Sequence, residues 1–409
     1  MSGPGPVGES AQAPAVRGGV LFIVFTTILI DFIGFSVLIP VLPQFAKSLG
    51  AGPSEIPALL YLYALAQLVF LPAWGFVSDR IGRRPVILFS LAGTAASFSL
   101  LAMATDLITV YVSRILAGFF AASIGTAQAV VTDVTGHAER ARGMGAIGAA
   151  FGLGMILGPP LGGVLGHWGE KYPFYGIVAL ALANLALAAL RLPETAPKHA
   201  RGWHGFGRTL IPIPLRLLAT VRERPIGLYL YFFFHLFSAF AVLEAMITFY
   251  LSERFAATKL EVAWVFVCIG VVLSLTQGLL LRRLVARLGE QRLVAAGMLI
   301  MACGLLGVAL APSFGWYFGI GAVIAFGNGI TFPSFTSLYS KICAAHRAGE
   351  LQAESQSMAT TGRIVGPLLA GWVTASPTDG TPFVMAATLM LAALILFGVF
   401  RRTLVEELS

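Results

Sequence analysis

Long apolar stretches recur along the whole chain and are separated by short polar gaps. Most are about 20 residues or longer, the length that an α-helix needs to cross the hydrocarbon core of a bilayer. We number twelve of them as spans 1 to 12, at 20–46, 54–78, 85–105, 107–132, 141–167, 172–192, 225–251, 260–283, 290–311, 313–343, 347–375 and 380–401. The pattern predicts an all-α membrane protein with twelve transmembrane helices in two halves of six.

The polar segments between and around the spans define the predicted domains. Residues 20–192 form an N-terminal six-helix half and residues 225–402 a C-terminal half, joined by a cytoplasmic linker at 193–224. Residues 1–19 begin with a stretch rich in Pro, Gly and Ala without the features of a signal peptide, and predict a disordered cytoplasmic tail. Residues 403–409 form a second cytoplasmic tail.

Short motifs recur between the two halves at nearly one spacing, 205 to 208 residues. The matching pairs are Phe35-Ser-Val-Leu with Phe240-Ala-Val-Leu, Arg80-x-Gly82 with Arg287-x-Gly289, and Gly154-x-x-x-Gly158-Pro159 with Gly362-x-x-x-Gly366-Pro367. Three separate matches favour a duplicated six-span unit. Parallel repeats of this kind, with a binding site between them near the bilayer midplane, are typical of one large class of transporters.

The composition agrees with a chain that is largely covered by lipid. Apolar residues make up 57% of the chain and charged residues 11%, whereas soluble domains are about 25% charged. This excludes an ordinary cytosolic domain and a disordered chain. The net charge of +8 does not point to nucleic acid, because the basic residues lie in the gaps between spans rather than on one soluble face.

Lysine and arginine residues set the expected orientation, since they are enriched in cytoplasmic loops. With the N-terminus inside, 21 of the 27 basic residues fall on the inner side and 2 within spans. The outer loops hold the remaining 4, which are Lys47, Lys171, Arg254 and Lys259. We therefore expect both termini in the cytoplasm.

Metal and enzyme motifs are missing from the sequence. Cys268, Cys303 and Cys343 are far apart and lack the spacing of a disulfide framework or a zinc site. The run Gly143-x-Gly145-x-x-Gly148 has the glycine spacing of a dinucleotide-binding loop. However, no predicted strand precedes it and no acidic residue follows at the required distance. No nucleotide phosphate-binding loop and no HExxH pair occurs. We expect neither enzymatic activity nor a bound cofactor.

A charged loop follows span 2. Gly82 permits a tight turn, Gly75 would allow close helix packing, and Asp79 lies among arginines with which it could pair. The full motif is Gly75-Phe-Val-Ser-Asp79-Arg80-Ile-Gly82-Arg83-Arg84. It resembles the signature loop of the major facilitator superfamily, which implies a transporter whose two halves rock around a central cavity. Asp133, after span 4, is expected to lie close to this loop. It could help to hold the inner gate closed in one conformation, or it could be a solvated loop charge.

Span 5 carries small residues at every fourth position, which favours close packing against another helix. The predicted helix-packing residues are Gly154, Gly158, Pro159 and Gly162, with Gly366 and Pro367 at matching positions in span 11. This segment resembles the span 5 motif of drug/proton antiporters within the superfamily. A generic packing face is the alternative interpretation.

Further motifs narrow the resemblance to the tetracycline/proton antiporters. They are Asp31-x-x-Gly34-x-x-x-x-x-Pro40-x-x-Pro43, Tyr61-x-Tyr63-Ala-Leu-x-Gln67, Gly329-Ile-x-x-Pro333 and Gly349-x-Leu-Gln352. The chain departs from that group in two spans. The group carries an acid in the middle of span 3, where this chain has Ser97 or a neighbouring residue, and another acid in span 9, where this chain has Met301.

Five ionisable residues lie inside the spans, where a charge is costly and usually functional. Asp31 and Arg114 are one candidate ion pair, and Glu244 and Arg363 are another. The pairs could be static clasps, or one acid could release its proton as substrate binds. We expect Asp31, Arg114, Glu244 and His235 to take part in proton coupling, although a lone histidine is also compatible with a packing role.

Uncharged polar residues within the spans could line a substrate cavity. The predicted substrate-binding residues are Gln67, Gln128, Gln277 and Asn328, together with Arg363 as an anion contact.

Together, these observations predict a secondary active transporter that exports small amphipathic compounds, such as drugs or tetracycline-like antibiotics, in exchange for protons. A metabolite facilitator or symporter on the same fold and a non-transporting membrane scaffold are alternatives. The expected partners are a small-molecule substrate and the lipid bilayer, with no nucleic acid and no second subunit. The expected location is the cytoplasmic membrane of a bacterium, and the expected energy source is the proton gradient.

Overall fold

The structure is a computed structural model that describes residues 14–52, 55–121, 123–134, 137–195, 226–342, 348–376 and 378–406. Every regular element among these residues is a helix. The predicted linker is described only at residues 193–195 and the predicted N-terminal tail only at 14–19, while residues 403–406 of the predicted C-terminal tail continue a helix. The side chains of Gln128 and Gln352 lie outside the described residues.

Helices occupy all twelve predicted segments, and each helix keeps the number of its span. Spans 1 to 6 are Pro14–Ser48, Ala58–Ile81, Arg83–Met103, Leu107–Phe120 with Ser123–Val134, His137–Trp168 and Tyr172–Arg191. Spans 7 to 12 are Ile226–Phe255, Lys259–Leu275 continuing to Leu288, Glu290–Leu310, Trp316–Ile342, Ala348–Val373 and Thr381–Glu406. Of the described helices, nine are long and apolar enough to cross a membrane. The number is ten if the two pieces of the bent span 2 are counted as one membrane-spanning helix.

Three spans depart from a regular helix. Span 2 bends by 46° between Ala58–Leu71 and Ala73–Ile81. At the junction of these two pieces the sequence has a proline, a residue without the backbone N–H of a regular helix. Span 4 is broken after Phe120, and span 8 contains a π-helical turn at Thr276–Leu280.

Both halves pack their helices in the same way. In the N-terminal half, span 1 lies against span 5, span 2 against span 4, and span 3 against span 6. In the C-terminal half, span 7 lies against span 11, span 8 against span 10, and span 9 against span 12. Adding six to each span number converts one set of contacts into the other, as a duplicated unit requires.

The glycines of span 5 allow its backbone to approach span 1. A Cβ atom at Gly154 would lie 3.0 Å from the carbonyl oxygen of Leu29 and 3.1 Å from the amide nitrogen of Ile33. A Cβ atom at Gly158 would lie 2.9 Å from the carbonyl oxygen of Ile33. The Ser36 hydroxyl also donates a hydrogen bond of 2.8 Å to the carbonyl of Gly154. Small residues are therefore required along this face.

The same contacts recur between spans 11 and 7, at the spacing that the sequence predicts. A Cβ atom at Gly362 would meet the carbonyl oxygen of Phe234 at 2.6 Å and the amide nitrogen of Ser238 at 3.0 Å. A Cβ atom at Gly366 would collide with the carbonyl oxygen of Ser238. Phe234 lies 205 positions after Leu29, and Ser238 lies 205 positions after Ile33. This is the spacing between the motifs that begin at Phe35 and Phe240. The two halves therefore share the same backbone contacts between equivalent helices, as well as the same sequence motifs.

The two halves meet along spans 5 and 8, spans 2 and 11, and spans 1 and 7. We call the side of the molecule where span 1 begins and span 12 ends the terminal face, and the other side the opposite face. On the opposite face, Lys47 forms an ion pair with Glu253, and Lys259 forms one with Glu170 at 3.5 Å. Both pairs join one half to the other, so the described halves are closed together there.

Candidate functional site

Charged residues from three spans lie near one tyrosine of a fourth span. Tyr63 of span 2 lies within electrostatic range of Asp31 in span 1, Arg114 in span 4 and Arg363 in span 11. Glu244 of span 7 in turn interacts electrostatically with Arg363. We call these five residues the central cluster. It contains both predicted acids and both predicted bases, and it draws on both halves of the protein.

Two aromatic rings from different halves hold the Arg363 side chain. The Cζ atom of its guanidinium lies 5.5 Å from the ring centre of Phe35 and 5.4 Å from that of Phe237. Rings at these distances attract a cation through their electron-rich faces. The Phe35 ring also packs against Tyr63, with 5.9 Å between ring centres. The positively charged guanidinium of Arg363 therefore lies where residues of the two halves meet.

Glu244 is the most deeply buried acid of the cluster, with 4% of its surface exposed. Its Oε1 atom has no hydrogen-bond partner among the described residues, and the described ion pairs do not include one between Glu244 and Arg363. A buried carboxylate with an unsatisfied oxygen is costly as a charged group. Proton binding would remove that cost, so the geometry suits a group that gains and loses a proton.

Arg114 is buried beside a hydroxyl and an aromatic ring. Its Nε lies 3.4 Å from the Ser113 hydroxyl, its guanidinium lies 5.2 Å from the ring centre of Phe98, and its Nη2 has no acceptor among the described residues. Asp31 and Arg114 both lie within electrostatic range of Tyr63, and the direct ion pair between them stays a prediction.

His235 lies in span 7 within a packed aromatic environment. Its Nδ1 atom is 2.9 Å from the carbonyl oxygen of Tyr231, one turn earlier, and its ring lies 3.9 Å from the Tyr231 ring. The Phe234 ring is 5.2 Å away. This arrangement corresponds to the packing alternative for His235.

The predicted substrate-binding amides lie in different surroundings. Gln67 is half-buried one turn after Tyr63, and Asn328 is half-buried in span 10. Gln277 is exposed and lies in the π-helical turn of span 8, while the side chain of Gln128 lies outside the described residues. Gln67 is thus the described amide whose position adjoins the central cluster.

The charged loop after span 2 forms a network on the terminal face. Asp79 and Arg83 form an ion pair, and the Nε of Arg83 lies 3.1 Å from Asp133. The backbone amide of Arg83 donates a hydrogen bond of 2.8 Å to Glu194, just after span 6. Asp133 therefore does lie beside the loop, and Arg83 links spans 2, 3 and 4.

The neighbouring arginines of this loop are also engaged. The Nη2 of Arg84 donates a hydrogen bond of 2.7 Å to the carbonyl of Ala189, and Arg80 lies over the ring of Phe76. Gly82 has a φ of +112°, a region that side chains other than glycine rarely adopt. The predicted turn is therefore present.

Gly75 differs from its prediction. A Cβ atom at this position would meet nothing within 4 Å, so none of the described helices packs closely on it. Gly75 is exposed.

Several residues of the site were not predicted as functional. Tyr63 belongs to a motif of span 2 and Phe35 to a repeated motif, but neither motif gives these residues a functional role. Phe237 lies in an apolar stretch where aromatic residues are common. The spacing of Tyr63 and Gln67, four residues apart on one helix face, is a signal that could have found Tyr63. Glu194 is in the predicted linker, and only the fold brings it to the loop.

No group of acids, histidines and cysteines in the described part of the chain could hold a metal ion. The site is therefore described by its charges, amides and aromatic rings.

Comparisons with known proteins fit this architecture. The family model described as "Major Facilitator Superfamily" matches residues 24–353 and 245–408. The class G tetracycline resistance protein of Vibrio anguillarum is 33% identical over 382 residues, which cover 89% of this chain and 93% of that protein.

Two solved structures share the fold. The crystal structure of the human organic anion transporter MFSD10 (TETRAN) has a TM-score of 0.70 at 24% identity and covers 94% of this chain and 100% of its own. A bacterial homolog of the human lysosomal transporter Spinster, solved in an inward-facing and occupied conformation, has a TM-score of 0.78 at 12% identity. That match covers 97% of this chain and 99% of the other.

Proposed function

This chain belongs to the major facilitator superfamily, and from that premise we propose that it exports small amphipathic compounds across a membrane in exchange for protons. Drugs and tetracycline-like antibiotics are the proposed substrates. The family and the tetracycline resistance relative support the proposal, as do the motifs in spans 1, 2, 5 and 10. The acids missing from spans 3 and 9 mean that the proton path differs from that of the tetracycline/proton antiporters.

The observation that carries the proposal is the state of Glu244. This carboxyl group is buried in span 7 within electrostatic range of Arg363, and one of its oxygens has no partner among the described residues. Such a group is stable when it is neutral, or when an approaching positive charge compensates it. Proton binding and the binding of a positively charged substrate group would therefore compete at Glu244, which is the requirement for exchange.

The other members of the central cluster have supporting roles in this proposal. Arg363 is held between Phe35 and Phe237 and sets the charge next to Glu244. We assign Asp31 as a second proton-binding residue, which lies within electrostatic range of Tyr63, as do Arg114 and Arg363. The aromatic rings and Gln67 supply a mixed apolar and polar surface, as an amphipathic substrate requires.

Reconstituted protein tests the proposal directly. In sealed vesicles with an imposed pH gradient, the wild-type protein is expected to move a fluorescent amphipathic cation and to dissipate the gradient when that substrate is added. Glu244→Gln keeps the shape of the side chain but cannot exchange a proton. It is expected to abolish gradient-driven transport, while the fold remains stable because an uncompensated buried charge has been removed.

A matched control comes from the same helix. Thr248→Val, one turn after Glu244, also alters a buried polar side chain without a described partner, and it is expected to transport normally. Full gradient-driven transport by Glu244→Gln would contradict the assigned role.

A second candidate function is the co-transport of a proton with an organic anion. It is favoured by Arg363, whose Nε atom is buried without an acceptor among the described residues. The same vesicles separate the two functions. Export in exchange for protons requires the substrate and the proton to move in opposite directions, whereas co-transport moves them together.

We also propose that the terminal face is cytoplasmic, that the protein acts as a monomer, and that the membrane is the cytoplasmic membrane of a bacterium. The orientation rests on the bias of 21 inner to 4 outer basic residues. A reporter protein that fluoresces only in the cytoplasm, fused after Ser409, is expected to fluoresce. An extracytoplasmic reporter active at the same position would overturn the orientation.

A further inference from the structure

Four arginines lie together on the terminal face at the turn between spans 8 and 9. We call Arg282, Arg283, Arg287 and Arg292 the basic arc. All four are exposed, and none takes part in a described ion pair. Glu290, the acid between them in the sequence, instead accepts a hydrogen bond of 2.7 Å from Ser337 of span 10.

The last part of span 8, Leu281–Leu288, is strongly amphipathic. Its apolar residues follow the spacing i, i+3, i+4 and i+7, which forms one stripe of a helix. They are Leu281, Leu284, Val285 and Leu288. At 100° per residue the three arginines of this segment fall on the other side of the helix, and none of its residues is fully buried.

The position of this segment along span 8 places it at the membrane surface. Leu279 and Leu280, immediately before it, are 64% and 41% exposed and belong to an apolar helix that extends from Lys259 to Leu288. Gly289 then turns the chain with a φ of +74° into span 9. The basic arc thus begins where the exposed apolar surface ends, at the depth of lipid headgroups.

The corresponding loop of the N-terminal half shows that exposed arginines are not required by the repeat. Arg80-x-Gly82 matches Arg287-x-Gly289, but there Arg83 pairs with Asp79 and Asp133, and Arg84 donates to Ala189. The halves therefore share a turn and differ in what their arginines bind. In the C-terminal half the four arginines are exposed on the terminal face.

We propose that the basic arc is a binding surface for the headgroups of anionic phospholipids in the leaflet at the terminal face. Guanidinium groups form paired hydrogen bonds with phosphate oxygens. Clustered basic residues next to a transmembrane helix are attracted to an anionic leaflet, each contributing separately. The apolar stripe keeps the segment at the interface, and the arginines face the headgroups. This inference does not depend on the transported substrate.

Lipid selectivity measured on the intact protein tests the proposal. The purified chain is placed in vesicles of phosphatidylcholine that contain spin-labelled phosphatidylglycerol or spin-labelled phosphatidylcholine. The wild-type protein is expected to hold the anionic lipid about threefold or more in preference to the zwitterionic one, a preference that salt weakens. The variant with Arg→Gln at all four positions is expected to lose most of this preference.

A variant with Arg→Lys at the same positions is the matched control, because it keeps the charge and is expected to retain most of the selectivity. Thermal unfolding in pure phosphatidylcholine checks that the Gln variant is folded. Unchanged selectivity in a folded Gln variant would overturn the proposal. Displacement of the anionic lipid by millimolar inorganic phosphate would also overturn it, because the surface would then be a site for soluble phosphate.

Discussion

Single charged residues inside this protein are stabilised largely by aromatic rings. Arg363 lies between Phe35 and Phe237, and Arg114 lies over Phe98. In a region without water, a ring face compensates part of a cation's charge without supplying a carboxylate. Glu244, whose Oε1 atom has no hydrogen-bond partner among the described residues, consequently remains available for a proton.

Asp31 offers a test at the residue scale. If Asp31 carries a transported proton, Asp31→Asn is expected to uncouple transport from the pH gradient while substrate binding and downhill exchange continue. We expect the variant to remain folded, because Asn keeps the size of the side chain and Arg114 keeps its contacts with Ser113 and Phe98. Transport with and without an imposed gradient, together with thermal unfolding, provides the measurement.

The alternative for Asp31 is a static clasp of Arg114, and it predicts a different result. Removing the clasp would leave a buried cation unpaired and destabilise the protein by about 3–5 kcal/mol. A second change, Arg114→Gln, would then rescue folding. Gradient-driven transport at the wild-type rate in a stable Asp31→Asn variant would contradict both roles.

At the scale of elements, the packing of spans 1 and 5 depends on a row of glycines. Gly158→Val is expected to destabilise the protein by about 1–3 kcal/mol, because the new side chain would overlap the backbone of Ile33 and the side chain of Ser36. Thermal unfolding of purified protein in a fixed detergent measures the loss.

Gly152 in the same helix provides the control. A Cβ atom there would meet nothing within 4 Å, so Gly152→Val is expected to change stability by no more than about 1 kcal/mol, the range of helix propensity. Equal losses for the two variants would show that the cost arises from the helix itself and not from its packing against span 1.

At the scale of the whole molecule, the described ion pairs between the halves are confined to the opposite face. Lys47 pairs with Glu253 and Lys259 with Glu170, and the close approach of Gly163 to Ala263 lies beside them. Alternating access requires these contacts to separate in another conformation. The observed conformation is therefore one that is closed on the opposite face.

A reducible crosslink between the halves tests this requirement. After removal of the native cysteines, Lys47→Cys with Glu253→Cys joined by a short bifunctional reagent is expected to stop transport until the link is reduced. Ser48→Cys with Glu170→Cys, whose native side chains lie 3.0 Å apart within one half, is expected to crosslink without stopping transport. Undiminished transport by the crosslinked Lys47 and Glu253 variant would contradict rocking of the halves.

Much of the architecture was predictable because it follows from local rules. A bilayer without water requires every backbone group to bond within its own helix, so apolar length alone identifies the spans. The glycine motifs identified helix faces that pack closely, and the structure showed that their partners are spans 1 and 7. The spacing of 205 residues between equivalent positions holds for Leu29 and Phe234. No comparable sequence pattern predicts the irregular parts, such as the π-helical turn of span 8.

The sequence by itself determined the membrane class, the positions of the spans, the repeat, and the list of charges that must lie inside the bilayer. Only the tertiary structure decided which of those charges meet. It brought Asp31, Arg114 and Arg363 to Tyr63, supplied Phe35 and Phe237 as neighbours of Arg363, and left Gly75 without close packing. The physical reason is that helix formation and lipid burial depend on residues nearby in the chain. Contacts among side chains depend on how spans far apart in sequence rotate and pack against one another.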